Sequence, residues 1–183
     1  DADPGKCNRD YSYILRDPPT VQMLSQIFQL DLAGTPYNLR ALLSRAGAAY
    51  LTVSPYSAAP LIAFIRSAKS SIRLQHQYLK NPEINAALLQ AAKRGVKVMI
   101  NVVSACAFGP PSPGDIKTWT TTYSSFEAAG AKIRTFTRGM KIGGLPGYLH
   151  AKIFVVDDEM GWIGSVNGST QSTEMNREFG VFF

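Results

Sequence analysis

Hydrophobic positions change period several times along the chain, and each change marks an element. Tyr50 to Ser54 reads as a strand. From about Ser57 to Lys69, Ala58, Leu61, Ile62, Phe64, Ile65 and Ala68 recur at helical spacing. Ser71 to Gln77 alternates Ile72, Leu74 and His76 with Arg73, Gln75 and Gln77, the period of a strand. Pro82 opens a second helix, lined by Ile84, Ala87, Leu88 and Ala91, with Lys93 and Arg94 in its last turn and Gly95 beyond. Val96 to Val103 is almost wholly apolar, as in a strand covered on both faces. Trp119 to Ala129 predicts another helix and Ala131 to Phe136 another strand. Ile153 to Val156 fits a buried strand, Met160 to Ser165 its return, and Arg177 to Phe183 a last strand central to the sheet. This order predicts an α/β fold: a mixed, largely parallel β-sheet flanked by helices on both faces, with right-handed crossovers.

Ahead of this region, Asp17 can cap a helix with Pro18 at its first position, and Val21, Leu24, Ile27 and Phe28 share helical spacing. Gly34-Thr35-Pro36 breaks it, and Asn38 to Arg45 is a short helix or a linking segment. Ala105 to Asp115, rich in Pro and Gly, reads as an irregular loop, either a rim or lid or a plain surface connection. Arg138 to Gly147 holds four glycines with Arg138 and Lys141 between them. That suits either close approach to a second phosphate or a solvated hairpin.

Composition narrows the partners. The chain has 183 residues, 45% hydrophobic and 17% charged, enough for one globular core. No apolar run approaches the roughly 20 residues of a membrane span. A net charge of +6 and a pI near 9.4 favour an anionic partner: nucleic acid, an anionic membrane surface or a phosphorylated small molecule. Cys7 and Cys106 make no disulfide framework, leaving one bridge or two thiols. Neither His76 nor His150 lies in a metal-ligand spacing, so no metal and no other cofactor is expected. The opening DADPGK is neither an initiator methionine nor a signal peptide. A fragment or processed product is therefore expected, of unknown compartment, with a lean to a secreted or membrane-associated protein.

The candidate chemistry sits in one stretch, Leu149 to Asn167. His150, Lys152 and Asp157 form H-x-K-x4-D, and after six further residues Gly164, Ser165 and Asn167 form G-S-x-N. His150 and Lys152, two apart, share one face of a strand, and Asp157 closes that strand at a turn. Lys152, Ser165 and Asn167 offer the charge and donors that a phosphodiester's oxygens need. An imidazole can act as nucleophile or general acid near neutral pH.

At these residues, followed by Glu178, the chain resembles the phospholipase D superfamily, or HKD family. The resemblance implies two such motifs facing across a pseudo-twofold axis. One His attacks phosphorus to give a phosphohistidine, the other protonates the leaving alcohol, and water or a second alcohol resolves the intermediate. It implies His150, Lys152, Asp157 and Glu178 as catalytic, with Lys152, Ser165 and Asn167 on the phosphate. Asp157 orders the motif and Glu178 orients a catalytic imidazole. In two-motif members the N-terminal His usually attacks, which on that analogy makes His150 the general acid; in a symmetric dimer of this chain each His150 could play either part.

One internal echo extends this. Asn8-Arg9-Asp10-Tyr11 repeats Asn176-Arg177-Glu178-Phe179 in residue type and order. Residues 1–49 then read as the tail of a preceding motif plus a linker, and 50–183 as the catalytic domain with one HKD motif. Asp10 would orient the His of the absent motif, as Glu178 orients His150. The expected partners are a phospholipid or other phosphodiester and a second HKD half, from the same protein or a second copy. Peripheral membrane contact is part of that picture. Two other readings stay open: a nuclease acting on nucleic acid, and a catalytically incomplete phosphate-binding domain. The lipid reading expects an apolar approach by the 105–115 loop. His76, where a strand ends, either lines the pocket or is a structural, hydrogen-bonded His.

Overall fold

The computed structural model describes residues 7–136 and 141–183. Its main sheet has seven strands: β2 (Leu51–Val53), β3 (Ser71–His76), β4 (Lys97–Val103), β5 (Lys132–Phe136), β8 (Lys152–Val156), β9 (Met160–Gly164) and β10 (Phe179–Phe182). Their order is β2-β10-β9-β8-β3-β4-β5. The neighbouring pairs β3–β4 and β4–β5 are parallel and the other four pairs antiparallel. Followed across the sheet, β2, β9, β3, β4 and β5 run one way and only β10 and β8 run back. The sheet is thus mixed and mostly one-directional, as the sequence predicts. The last strand is not central. It is second from the edge, because the short β2 pairs with it instead of with β3.

Helices α3 (Ala58–Ser67), α4 (Pro82–Lys93) and α5 (Pro113–Ala128) bury their apolar stripes against one face of this sheet. Leu61, Ile65, Leu88 and Phe126 meet Ile72, Leu74, Phe154 and Trp162 there. α1 (Pro18–Ala33) and α2 (Leu39–Leu43) cover the opposite face, but only at the β2–β10 edge, against Leu51, Val53 and Phe179. Burying this apolar surface is what holds the layers together.

Local chemistry sets the helix ends. Asp17 caps α1 by accepting from the Thr20 backbone N–H, and Gly34 ends it at φ 65°. The buried stripe of α1 is Thr20, Met23 and Ile27, while Val21 and Phe28 face outward. The expected loop to Asp115 is shorter than predicted. Ser112 and Asp115 form a capping box and Pro113 takes the first helical position, so α5 starts six residues early.

A smaller three-stranded sheet completes the fold: β1 (Cys7–Arg9), β6 (Lys141–Ile142) and β7 (Leu145–Leu149), with β7 in the middle. Gly143 and Gly144, both at positive φ, make the β6–β7 turn. Of the two readings of the glycine-rich stretch, the hairpin leading to His150 is the one observed. Arg138 and Gly139 lie outside the described residues. Cys7 and Cys106 are both free thiols.

Candidate active site

His150 stands in the gap between the end of β7 and the start of β8. Its backbone N–H donates to the Arg9 carbonyl at 3.1 Å, extending the parallel β1–β7 pairing by one step. That pairing sets Asp10 beside it, with the Asp10 carboxylate 3.0 Å from His150 Nδ1. A carboxylate on Nδ1 holds one tautomer and leaves Nε2 to exchange a proton or attack. The imidazole is 41% exposed, open to a substrate, and lies 6.3 Å from the Tyr148 ring in a stacked arrangement. Gln77 fixes that ring by donating to the Tyr148 hydroxyl at 2.6 Å.

Lys152 opens β8 opposite His76 of β3 and is buried, 4% exposed. Its ammonium donates to the His150 carbonyl, so the two motif residues are joined directly. Burial pushes the Lys152 ammonium down to about 8, opposed by the Asp10 and Glu178 carboxylates, which favour its charged form. A buried ammonium of this kind can give charge-assisted hydrogen bonds to an anion.

The expected roles of the acids change. Asp10 does not wait for an absent His; it meets His150. Glu178 does not orient His150; its Oε1 accepts from Ser172 Oγ at 2.9 Å and Asn176 Nδ2 at 3.2 Å. The reason is strand pairing: β1 lies beside β7 and delivers Asp10 to His150, whereas Glu178 enters β10 beyond the return strand. The sequence echo finds both acids but not which strand each lies against.

Asn167 is half-buried. Its backbone N–H donates to Ser172 Oγ at 2.8 Å, linking it through Ser172 to Glu178. Its side-chain Oδ1 is buried with no hydrogen-bond partner among the described residues. Ser165 differs from expectation. Its hydroxyl accepts from the Phe179 N–H at 3.1 Å and donates to the Phe179 carbonyl at 3.4 Å, pinning β9 to β10 instead of presenting a free donor. Gly164 is required beside it: a Cβ there would lie 2.4 Å from the Phe179 oxygen and 2.6 Å from Gly180 Cα.

Asp157 is not in the site. Five residues beyond Lys152, at about 3.3 Å per strand residue, it lies roughly 17 Å away at the other end of β8. Asp157 and Asp158 both adopt positive φ in the β8–β9 turn, which Asp tolerates. The Asp157 carboxylate accepts from the backbone N–H groups of Lys69, Ser70 and Ser71 and from the Ser70 hydroxyl. It therefore ties the far end of β8 to the start of β3. Those backbone donors hold its carboxyl well below the usual carboxylate range. Stability from this cluster is present above the ordinary Asp range and is lost as pH falls below it. Asp157→Asn is expected to lower the melting temperature at pH 7, with the gap to wild type narrowing in acid. An equal gap at pH 7 and pH 2 would refute it.

His76 is buried at 1% exposure, edge-on to Phe154 at 5.4 Å, and does not line an open site. Burial first, then the Lys152 charge, lowers it to about 3, so it is a neutral structural ring. Gln77, Tyr148 and Ser172 were not singled out from sequence. For Tyr148 a signal existed, its two-residue spacing from His150. For Gln77 and Ser172 there was none.

A family model described as "Cardiolipin synthase, PLD-like domain" matches residues 61–183. Cardiolipin synthase 1 of Staphylococcus epidermidis is 34% identical over 121 residues, 64% of this chain and 22% of that protein. Cardiolipin synthase of Halalkalibacterium halodurans is 32% identical over 124 residues, 66% and 22% of the two chains. The chain thus spans about a fifth of the length of the curated relatives it matches. Among solved structures, Nuc, a phospholipase D family member from Salmonella typhimurium, aligns with a TM-score of 0.58 and 26% identity, over 72% of this chain and 79% of that one. Polyphosphate kinase from Porphyromonas gingivalis shares the fold at TM-score 0.54 and 18% identity, over 80% and 26%. With a family model covering well over half of its length and an H-x-K strand built as described, the chain belongs to the phospholipase D superfamily.

Proposed function

We propose that this chain supplies one half of the active site of a phosphatidyl-transferring phosphodiesterase, the other half coming from a second HKD motif. The observation that carries the reading is the His150 imidazole held through Nδ1 by Asp10, with the buried Lys152 ammonium joined to it. The His of the other half attacks phosphorus, forming a P–N bond as the P–O bond to the leaving alcohol breaks. His150 gives that alcohol its proton from Nε2. A second alcohol, or water, then surrenders a proton to His150 and displaces the histidine. Lys152 and the Asn167 amide hold the phosphate oxygens throughout. No residue here requires a metal for these steps.

Two further features support a missing half. Glu178 Oε1 is held by Ser172 and Asn176 without a histidine, which suits an acid that meets the partner motif's imidazole, mirroring Asp10. Among the described residues, the sheet face opposite α3–α5 carries an open depression over β8, β3 and β4. Met99, Ile153 and Val155 line a depression of about 560 Å³ there, beside Arg73 and Arg134. The second half would cover it. Relatives named cardiolipin synthases favour a phospholipid diester over nucleic acid and transfer over hydrolysis.

The test is turnover by the full-length protein that carries this chain, on phosphatidylglycerol and on a DNA oligonucleotide. Turnover of the lipid, lost in His150→Ala, is expected. Turnover of DNA alone establishes the nuclease instead, and turnover of neither leaves a phosphate-binding domain. The Lys152 environment adds a pH signature. The free site needs the ammonium, so kcat/KM should fall as pH rises through about 8. Bound phosphate stabilises the charge, so the same limb in kcat should lie higher. A basic limb unchanged in Lys152→Arg would contradict this assignment.

A further inference from the structure

Beside the segment that carries Asn167 lies a second cavity, of about 630 Å³, formed between the exits of β3 and β4 and α5. Its wall is mainly apolar: Tyr78, Val103, Pro110, Pro111, Trp119 and Tyr123. Trp119 and Tyr123 pack ring to ring at 4.6 Å, and Tyr123 is itself buried against the main core, which anchors this side of the wall. Volume and lining are those of a site that takes an organic ligand.

The cavity is tied to the active site through its floor. Leu79 forms a β-bridge with Gly168, and the backbone N–H groups of Lys80 and Asn81 donate to the Gly168 carbonyl. Gly168 follows Asn167. A Cβ on Gly168 would lie 2.5 Å from the Tyr78 carbonyl, so the two loops touch with no room between them. On the other side Gln77, next to Tyr78, holds the Tyr148 ring that stacks on His150. Tyr78, Leu79 and Lys80, which touch Gly168, also line the cavity, so its wall adjoins the segment that carries Asn167. Lys80 also lines the cavity, with its ammonium 5.1 Å from the centre of the Tyr78 ring, and offers a cation to an anionic headgroup.

We propose that this cavity binds an acyl chain of the phospholipid substrate and so selects lipid over water-soluble diesters. The inference rests on the reading of the site as a phosphatidyl transferase. A chain's methylenes gain by leaving water for such a wall, whereas a small diester reaches only Lys152 and Asn167.

Two variants of the full-length protein test it. Thr122→Phe plugs the cavity from a half-exposed position on α5 and removes no core side chain. Trp119→Ala removes the wall. Each is expected to lower kcat/KM on dioleoyl phosphatidylglycerol in detergent micelles by about tenfold, the loss of roughly two buried methylenes. Turnover of bis(4-nitrophenyl) phosphate should change by no more than about twofold. Binding is read separately by fluorescence. Phosphatidylglycerol brominated in its chains should quench the emission component that Trp119→Phe removes, and Thr122→Phe should abolish that quenching. Lipid turnover that needs His150 but ignores both variants, without quenching, overturns the chain site and leaves the enzyme reading intact. Equal losses on both diesters overturn it too. Quenching without any His150-dependent turnover sustains the chain site and sinks the enzyme reading.

Discussion

His150→Ala in the full-length protein is expected to lower kcat on any phosphodiester by about 10³-fold or more. The imidazole is both exposed and held: Asp10 engages Nδ1 at 3.0 Å, Tyr148 flanks the ring, and the backbone N–H is committed to Arg9. All of these contacts position Nε2, and none replaces it. Among the described residues the remaining histidine, His76, is buried and neutral and cannot take over the proton. KM should move little, because the imidazole acts on the leaving oxygen and not on the ground-state phosphate. The melting temperature should stay within a few degrees, since the ring adds no apolar burial to the core. Steady-state kinetics on lipid and on a chromogenic diester, alongside thermal melts, reads all three. Retained kcat in a preparation free of contaminating enzyme would remove His150 from the chemistry.

Lys152→Ala should cost about 10²- to 10³-fold in kcat/KM, the range for losing one preorganised donor to developing charge. Its ammonium is buried, tethered to the His150 carbonyl, and flanked by carboxylates that hold it charged. In that setting a substrate phosphate meets a fixed charge with little water to screen it. Unlike His150→Ala, this substitution should also raise the inhibition constant of inorganic phosphate, because ground-state binding is lost as well. Lys152→Arg should recover only part of the loss, since a planar fork does not fit a pocket shaped to one ammonium. An unchanged phosphate inhibition constant in Lys152→Ala would place the anion elsewhere.

Much of this site was legible because strand periodicity is local. His150 and Lys152 fall two apart, the apolar run Ile153–Val156 makes the strand between them and the turn, and Asp157 lands in that turn. What stayed hidden was non-local. Whether Asp10 or Glu178 reaches His150 depends on β1 pairing with β7, and nothing in either segment encodes its neighbour. Ser165 looked like a phosphate donor because its hydroxyl is chemically able to be one; only the adjacency of β10 shows it spent on Phe179. Similarly, α1 carries two apolar stripes, and packing on Leu51 and Val53 selects Met23 and Ile27 over Val21 and Phe28. The early start of α5 was readable, since Ser112-Pro113 with Asp115 three residues after the cap is a helix-start signature. The Pro and Gly around it obscured that signal.

If His150 and Lys152 form one half of a phosphohistidine-forming site, alkaline quench of the full-length protein during turnover of a diester ³²P-labelled at phosphorus should trap the intermediate. Label is expected on a histidine-containing peptide of the second motif, present in wild type and lost when that motif's histidine is replaced. Turnover that proceeds with no label on any histidine would contradict it.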